Sequence, residues 1–251
     1  MLELGKCNRI DVSDARRIWG FDSVRRRLRR SGWRSMAEVA EGVYLPGDVA
    51  RSLRCLSVKP WSDWSRVNWV TNGRRCESMN DNFSMGMRRL SECGEQDYWV
   101  YTDGSAGGLR DGGAGVIVAR GCVSVPDVVE RMELPAGVVA SSFQAELHAV
   151  RAGLEWLFAN RDTWRRACIV SDSQSVLVCL RGCRGGLREG IIARCAWLLS
   201  ELCLQDKWLC MVWIPGHCAI VGNELADAAA ARGCRMMQNH VECLPTSIHF
   251  V

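Results

Sequence analysis

The chain lacks the signatures of a membrane, secreted or phosphate-cradling protein. No stretch approaches the roughly 18 uninterrupted apolar residues of a bilayer span. Met1 to Lys6 carry no basic start followed by an apolar run, so a soluble, intracellular protein is expected, with the nucleus slightly favoured over the cytoplasm. There is no CxxC pair among the 14 cysteines, which argues against both a zinc ribbon and a small disulfide scaffold; most of the thiols are expected to be reduced and several buried. The nearest approach to a finger, Cys234, His240, Cys243 and His249, matches no standard ligand spacing. The glycines from Gly104 to Gly115 fit neither GxGxxG nor GxxxxGK[ST], which removes the glycine-loop reading. Internal repeats and low-complexity tracts are also missing.

What is present suffices for a packed core: 251 residues, 48% of them apolar. The net charge of +4 is unevenly spread. Residues 1–97 hold 18 Lys and Arg against 13 Asp and Glu, whereas residues 98–251 hold 14 against 15. The surplus centres on Arg25, Arg26, Arg27, Arg29, Arg30 and Arg34. Such a cluster suits a phosphate-binding patch or a nuclear-import signal. It equally suits the solvated face of a short helix whose apolar side is Phe21, Val24 and Leu28.

Four segments are expected. Residues 1–55 read as a basic helical N-terminal segment, broken near Gly32 and at Leu45-Pro46-Gly47-Asp48. Residues 56–96 carry Pro60, Trp61, Trp64 and Trp69 and then a polar stretch through Asn72-Gly73, which reads as a connector. Residues 97–235 form the main domain and 236–251 a C-terminal tail. In the main domain, Trp99-Val100-Tyr101-Thr102 is a strand stopping at Asp103-Gly104-Ser105, Val116 to Ala119 a second, and Val128 to Leu134 a third, the three forming an antiparallel meander. Ser141 or Ser142 caps an amphipathic helix with Phe143, Leu147, Val150, Leu154 and Leu157 on one face. A fourth strand, Ala167 to Val170, ends at Ser171-Asp172-Ser173, followed by helices around Val176 to Leu180 and Ile191 to Leu202. A fifth strand, Leu209 to Ile214, leads through Pro215-Gly216-His217 to a last helix from Asn223 to Arg232. The predicted order is βββαβααβα, an α/β class with a mixed five-stranded sheet flanked by helices.

Asp103 and Asp172 each follow an apolar strand, where open sheets place their ligand-binding edge. Glu146 lies early in the first long helix and Asp227 one turn into the last, positions from which both can lean over the same strand ends. Four clustered carboxylates repel one another and raise one another's pKa unless a counter-charge is bound. Oxygen-seeking divalent ions supply it, and a pair of them stabilises the attacking and leaving oxygens of an in-line displacement at phosphorus. Singly, each acid also reads as a cap, a turn former or an exposed helical residue. Their conjunction points to phosphodiester hydrolysis.

Tyr101-Thr102-Asp103-Gly104-Ser105, Gln144-Ala145-Glu146-Leu147, Ser171-Asp172-Ser173-Gln174, Trp213-Ile214-Pro215-Gly216-His217 and Gly222-Asn223-Glu224-Leu225-Ala226-Asp227 resemble the successive motifs of type 1 ribonuclease H. The resemblance covers about residues 97–235, and its wording is closest to the ribonuclease H domain of non-LTR retrotransposon reverse transcriptases. No Tyr-x-Asp-Asp of a polymerase is present. The resemblance implies a ribonuclease H-like fold and endonucleolytic cleavage of the RNA strand of RNA–DNA hybrids, leaving 3′-hydroxyl and 5′-phosphate ends. It implies two Mg²⁺ ions, replaceable by Mn²⁺, held by Asp103, Glu146, Asp172 and Asp227, with Asp103 between them. His217, on its Pro-Gly loop, is implied in proton transfer or product release. Gly104, Ser105, Gln174 and Asn223 are candidates for minor-groove contact with the hybrid, where 2′-hydroxyls distinguish RNA from DNA and little base information is exposed. The expected partners are the hybrid and a reverse transcriptase domain, with no membrane.

Two departures stand out. Ala219 takes a position that is glycine in the retroelement pattern, which stiffens the loop bearing His217. The segment after Asp172 is too short and too poor in lysine for an added basic handle helix, so hybrid affinity is expected to draw on the arginine-rich N-terminal region or on a polymerase domain. Alternative readings are a retroelement remnant that binds nucleic acid without cutting it, and another metal nuclease or transposase acting on DNA. The second would use a different acid arrangement and lack the His217 to Asp227 motif.

Overall fold

The structure is a computed structural model, and it describes residues 64, 66–106, 111–138, 140–182 and 190–238. The arginine cluster, the segment expected to be helical at the N-terminus, and His240, Cys243 and His249 lie outside these residues. The elements in chain order are β1 (Val67–Val70), α1 (Met79–Glu92), β2 (Tyr98–Ala106), β3 (Gly112–Arg120), β4 (Asp127–Gly137), α2 (Ser142–Ala159), a 3-10 turn (Arg161–Thr163), β5 (Arg166–Ser171), α3 (Gln174–Gly182), α4 (Gly190–Leu204), β6 (Trp208–Trp213) and α5 (Val221–Gly233). From β2 onward this is the expected order, on a ribonuclease H-like fold.

The sheet runs β1-β6-β5-β2-β3-β4. The meander β2-β3-β4 is antiparallel, while β5 pairs with β2 and with β6 in parallel. The sheet has six strands rather than five. The additional one is β1, which pairs in parallel with β6 from Val67 opposite Leu209 to Val70 opposite Val212. It comes from the segment expected to be a connector, which also carries α1. Four residues at a half-buried sheet edge give too little alternation to declare a strand.

The period-two alternation of strands divides the core between the two faces. Val100, Val116, Val118, Ile169 and Met211 point to one face and pack with Leu147, Leu154 and Leu157 of α2, Leu177 of α3 and Leu198 of α4. Trp99, Tyr101, Ile117, Val170 and Val212 point to the other and pack with Leu90 of α1 and Ala226 and Ala229 of α5. Each fully buried leucine side chain contributes about 2 kcal/mol relative to exposure. No helix among the described residues is long and apolar enough to cross a membrane.

Two local devices place the helices that matter. Ser141 caps α2 reciprocally: its hydroxyl accepts from Gln144 N at 3.2 Å and its own N–H donates to Gln144 Oε1 at 2.9 Å. On β3, a Cβ at Gly113 or Gly115 would overlap backbone atoms of α5, at Ala230 and Ala226 respectively. Gly113 and Gly115 thus let α5 lie directly on the sheet. Gly115 pairs with Asp103, so this contact sets the height of Asp227 above Asp103.

Candidate active site

Asp103 sits within β2, since pairing with β3 continues through Asp103, Gly104 and Ser105 opposite Gly115, Ala114 and Gly113. The strand was expected to stop there; the facing glycines of β3 carry the ladder on instead. Asp172 follows the end of β5, whose last residue Ser171 pairs with Thr102. Neighbouring parallel strands therefore deliver the two aspartates side by side. Glu146 stands near the start of α2, and the helix reaches the strand because a Cβ at Gly104 would overlap Glu146 N and Ala145 C.

One carboxylate oxygen from each of Asp103, Glu146 and Asp172 lies within 4.8 Å of the others. Asp227 falls in an adjoining group with His217 and Glu224, of the same span. Its charge still acts on both Asp103 and Asp172. Burial, reinforced by Asp172 and Asp227, pushes Asp103 up to about 8, against a weaker pull from the Gly104 N–H. Burial and the charges of Asp172 and Asp103 push Glu146 up to about 10. Asp172 is also raised by burial, with the His217 charge and a hydrogen bond from Asn223 opposing.

The other candidates divide between rim and scaffold. His217 is exposed on the loop after β6, with φ at 52°, and Ala219 follows at 63°, both in the left-handed region. A Cβ at Gly216 would meet the Asp172 carboxylate, so only glycine lets this loop pass so close. Asn223 is 2% exposed and bonds Asp172, while its Oδ1 is buried without a partner. Ser105 lends its carbonyl to the Cys234 thiol at 3.3 Å. Gln174 donates its amide to Thr71 O at 2.7 Å and Gly73 O at 3.1 Å, tying α3 to the loop after β1.

Three residues not singled out in the sequence also shape the site. Glu224 accepts the Ala219 N–H at 3.1 Å and bridges the His217 loop to α5. Trp213 donates its indole N–H to Asp172 O at 2.9 Å. Buried Arg89 of α1 stacks on the Trp213 ring at 4.7 Å and donates to Trp213 O at 2.7 Å and to Asn72 O. Glu224 lies inside a quoted motif and was legible as an acid; Arg89 had no signal, since arginine in a helix ordinarily reads as solvated.

The arrangement suits a hard divalent cation. Asp103 Oδ2 and Glu146 Oε2 are buried with no hydrogen-bond partner, a costly state for carboxylates that a cation would relieve. The donors of the Asp103, Glu146 and Asp172 trio are all oxygens, the set preferred by magnesium or manganese over softer metals.

A sequence model of the RNase H family matches residues 95–235. Among solved structures, RNase H1 from the halophilic archaeon Halobacterium salinarum is 23% identical, covering 54% of this chain and 96% of its own, with a TM-score of 0.42. The N-terminal RNase H domain of a Mycobacterium tuberculosis protein, solved as a fusion with maltose-binding protein, is 20% identical over 55% of this chain and 98% of that one, TM-score 0.43. The foamy viral protease-reverse transcriptase in complex with double-stranded DNA is 22% identical over 56% and 95%, TM-score 0.43. With the family match spanning more than half of its residues, the chain belongs to the RNase H family.

Proposed function

We propose that the chain hydrolyses the RNA strand of RNA–DNA hybrids with two divalent metal ions, Mg²⁺ or Mn²⁺. The observation that supports this best is the trio Asp103, Glu146 and Asp172, gathered within 4.8 Å with two buried oxygens left unpaired. Asp103, Glu146, Asp172 and Asp227 would hold these ions. When bound, such ions lower the pKa of a water and neutralise charge on the phosphoryl group. The protein's residues do the rest. Asn223 orients the Asp172 carboxylate, Gly104 and Ser105 present backbone groups to the minor groove, and Gln174 holds the neighbouring loop. The water oxygen bonds to phosphorus as the bond to the 3′ oxygen breaks. His217, at the solvent rim, serves proton transfer or release of the 5′-phosphate product.

The motif wording favours an origin as the nuclease part of a retrotransposon reverse transcriptase, with a polymerase domain as partner. Cleavage of end-labelled hybrid, duplex RNA and duplex DNA in Mg²⁺ tests the activity. Only the RNA strand of the hybrid should be cut, and Asp103→Asn should abolish cutting. Hybrid binding by folded protein without cleavage would instead indicate a module that recognises hybrids and does not process them.

A further inference from the structure

Helix α4 offers the hybrid little positive charge. Among the described residues of α4 the only basic one is Arg194, already bonded to Glu155 at 3.1 Å. Among the described residues, positive charge near Asp172 comes from Arg181 of α3 and from the loop between β1 and α1.

That loop is pinned on every side. Gln174, two residues after Asp172, donates to Thr71 O and Gly73 O, and Arg181 of α3 donates to Thr71 Oγ1 at 3.3 Å. Arg89 donates to Asn72 O. Asn82 closes the far end, accepting the Cys76 N–H at 2.7 Å and donating to Cys76 O at 3.0 Å. Between these anchors Arg74 and Arg75 are exposed, and no ion pair engages either among the described residues. Arg75 lies near enough to Cys218, next to His217, for its charge to bear on that thiol. The anchored loop, tied at Thr71 and Gly73 to the helix that follows Asp172, thus carries two exposed arginines, and the charge of Arg75 reaches Cys218 beside His217.

We infer that Arg74 and Arg75 grip the phosphodiester backbone of the bound hybrid, so that the segment ahead of the family region supplies part of the substrate site; this rests on the proposed hybrid-cleaving function. Arginine suits phosphate because its planar fork gives paired, charge-assisted hydrogen bonds. Pre-ordering the loop lowers the entropic cost of each contact.

The test uses the full chain and a labelled hybrid, with cleavage kinetics and anisotropy binding measured over a salt series. Arg74→Ala/Arg75→Ala should raise KM about ten-fold with kcat within about two-fold, and reduce the slope of log Kd against log salt by about 2. Arg74→Lys/Arg75→Lys should keep most of the slope, because lysine retains the charge. Unchanged KM and slope in the alanine variant would overturn the inference, as would a lowered melting temperature with no rescue by lysine, which indicates a structural role. A wild-type chain that binds hybrid without cutting it overturns the nuclease reading alone, and its salt slope still reads the two contacts. Failure of the wild-type chain to bind hybrid overturns both.

Discussion

Asp103 and Glu146 keep their protons at pH values where free carboxylic acids have lost them. Asp103 is pushed up to about 8 in the folded chain, against about 3.9 for an unfolded aspartate. Between those values the folded state binds more protons than the unfolded state, so the metal-free protein loses stability as pH rises through the window. Glu146, pushed up to about 10, extends the loss to higher pH. In chelator, the melting temperature should therefore fall from pH 5 toward pH 9, and Asp103→Asn should raise it and flatten the slope. Added Mg²⁺ should stabilise more at pH 8 than at pH 6, because binding must displace protons. A melting profile in chelator that is flat or rises with pH would show that the acids are not mutually strained. At Gly104 the constraint is steric. Gly104→Ala puts a methyl group into the backbone of α2 at Glu146, and should cost about 1–3 kcal/mol in urea unfolding. Cleavage should fall by at least 100-fold, about 2.7 kcal/mol of barrier, because the added group pushes Glu146 away from Asp103.

The loop from Pro215 to Ile220 joins β6 to α5 and carries its strain openly. His217 and Ala219 both occupy left-handed backbone, which costs an L residue about 1–2 kcal/mol. Ala219→Gly should therefore stabilise the protein by at most about 1 kcal/mol after the entropy of the added glycine is counted, and raise kcat by freeing His217. Urea titration and single-turnover kinetics check both; a loss of stability would mean that the Glu224 bond to Ala219 N already relieves the strain. The sequence had marked Ala219 as unusual but not its conformation. Strands β2 to β6 were legible as short apolar runs bounded by turn residues, helix α2 and helix α4 by apolar residues recurring at intervals of three and four, and α5 by the alanines after Asn223. Asp103 and Asp172 were legible as acids following apolar runs, although β2 continues past Asp103. Helix α1 was not, because its buried positions are Asn82, Gly86, Arg89 and Leu90, while Met79 and Phe83 are exposed. A helix that buries polar groups to hold loops presents no apolar stripe to read.

At the scale of the whole molecule, the folded RNase H unit begins before the family region does. Strand β1 closes the β6 edge, and α1 covers the second core face through Leu90 and Cys93 while Arg89 satisfies Trp213 O. A chain starting at residue 95 would present β6 as an unpaired edge with Leu209, Met211 and Val212, the kind of edge that pairs with other copies. It would also leave the Trp213 carbonyl without its buried donor, a loss of about 1–3 kcal/mol by itself. Chains beginning at residue 64 and at residue 95, with the same C-terminus, should differ in melting temperature by about 10 °C, since each kcal/mol moves a domain of this size by about 2–4 °C. The shorter chain should also self-associate in size-exclusion chromatography. Arg89→Ala in the full chain should reproduce part of the loss, by about 2 kcal/mol, without exposing the edge. Equal melting temperatures and two monomeric species would show that β1 and α1 only rest on a domain complete without them. The opposite result would place the boundary of the working unit near residue 64, with the loop bearing Arg74 and Arg75 inside it.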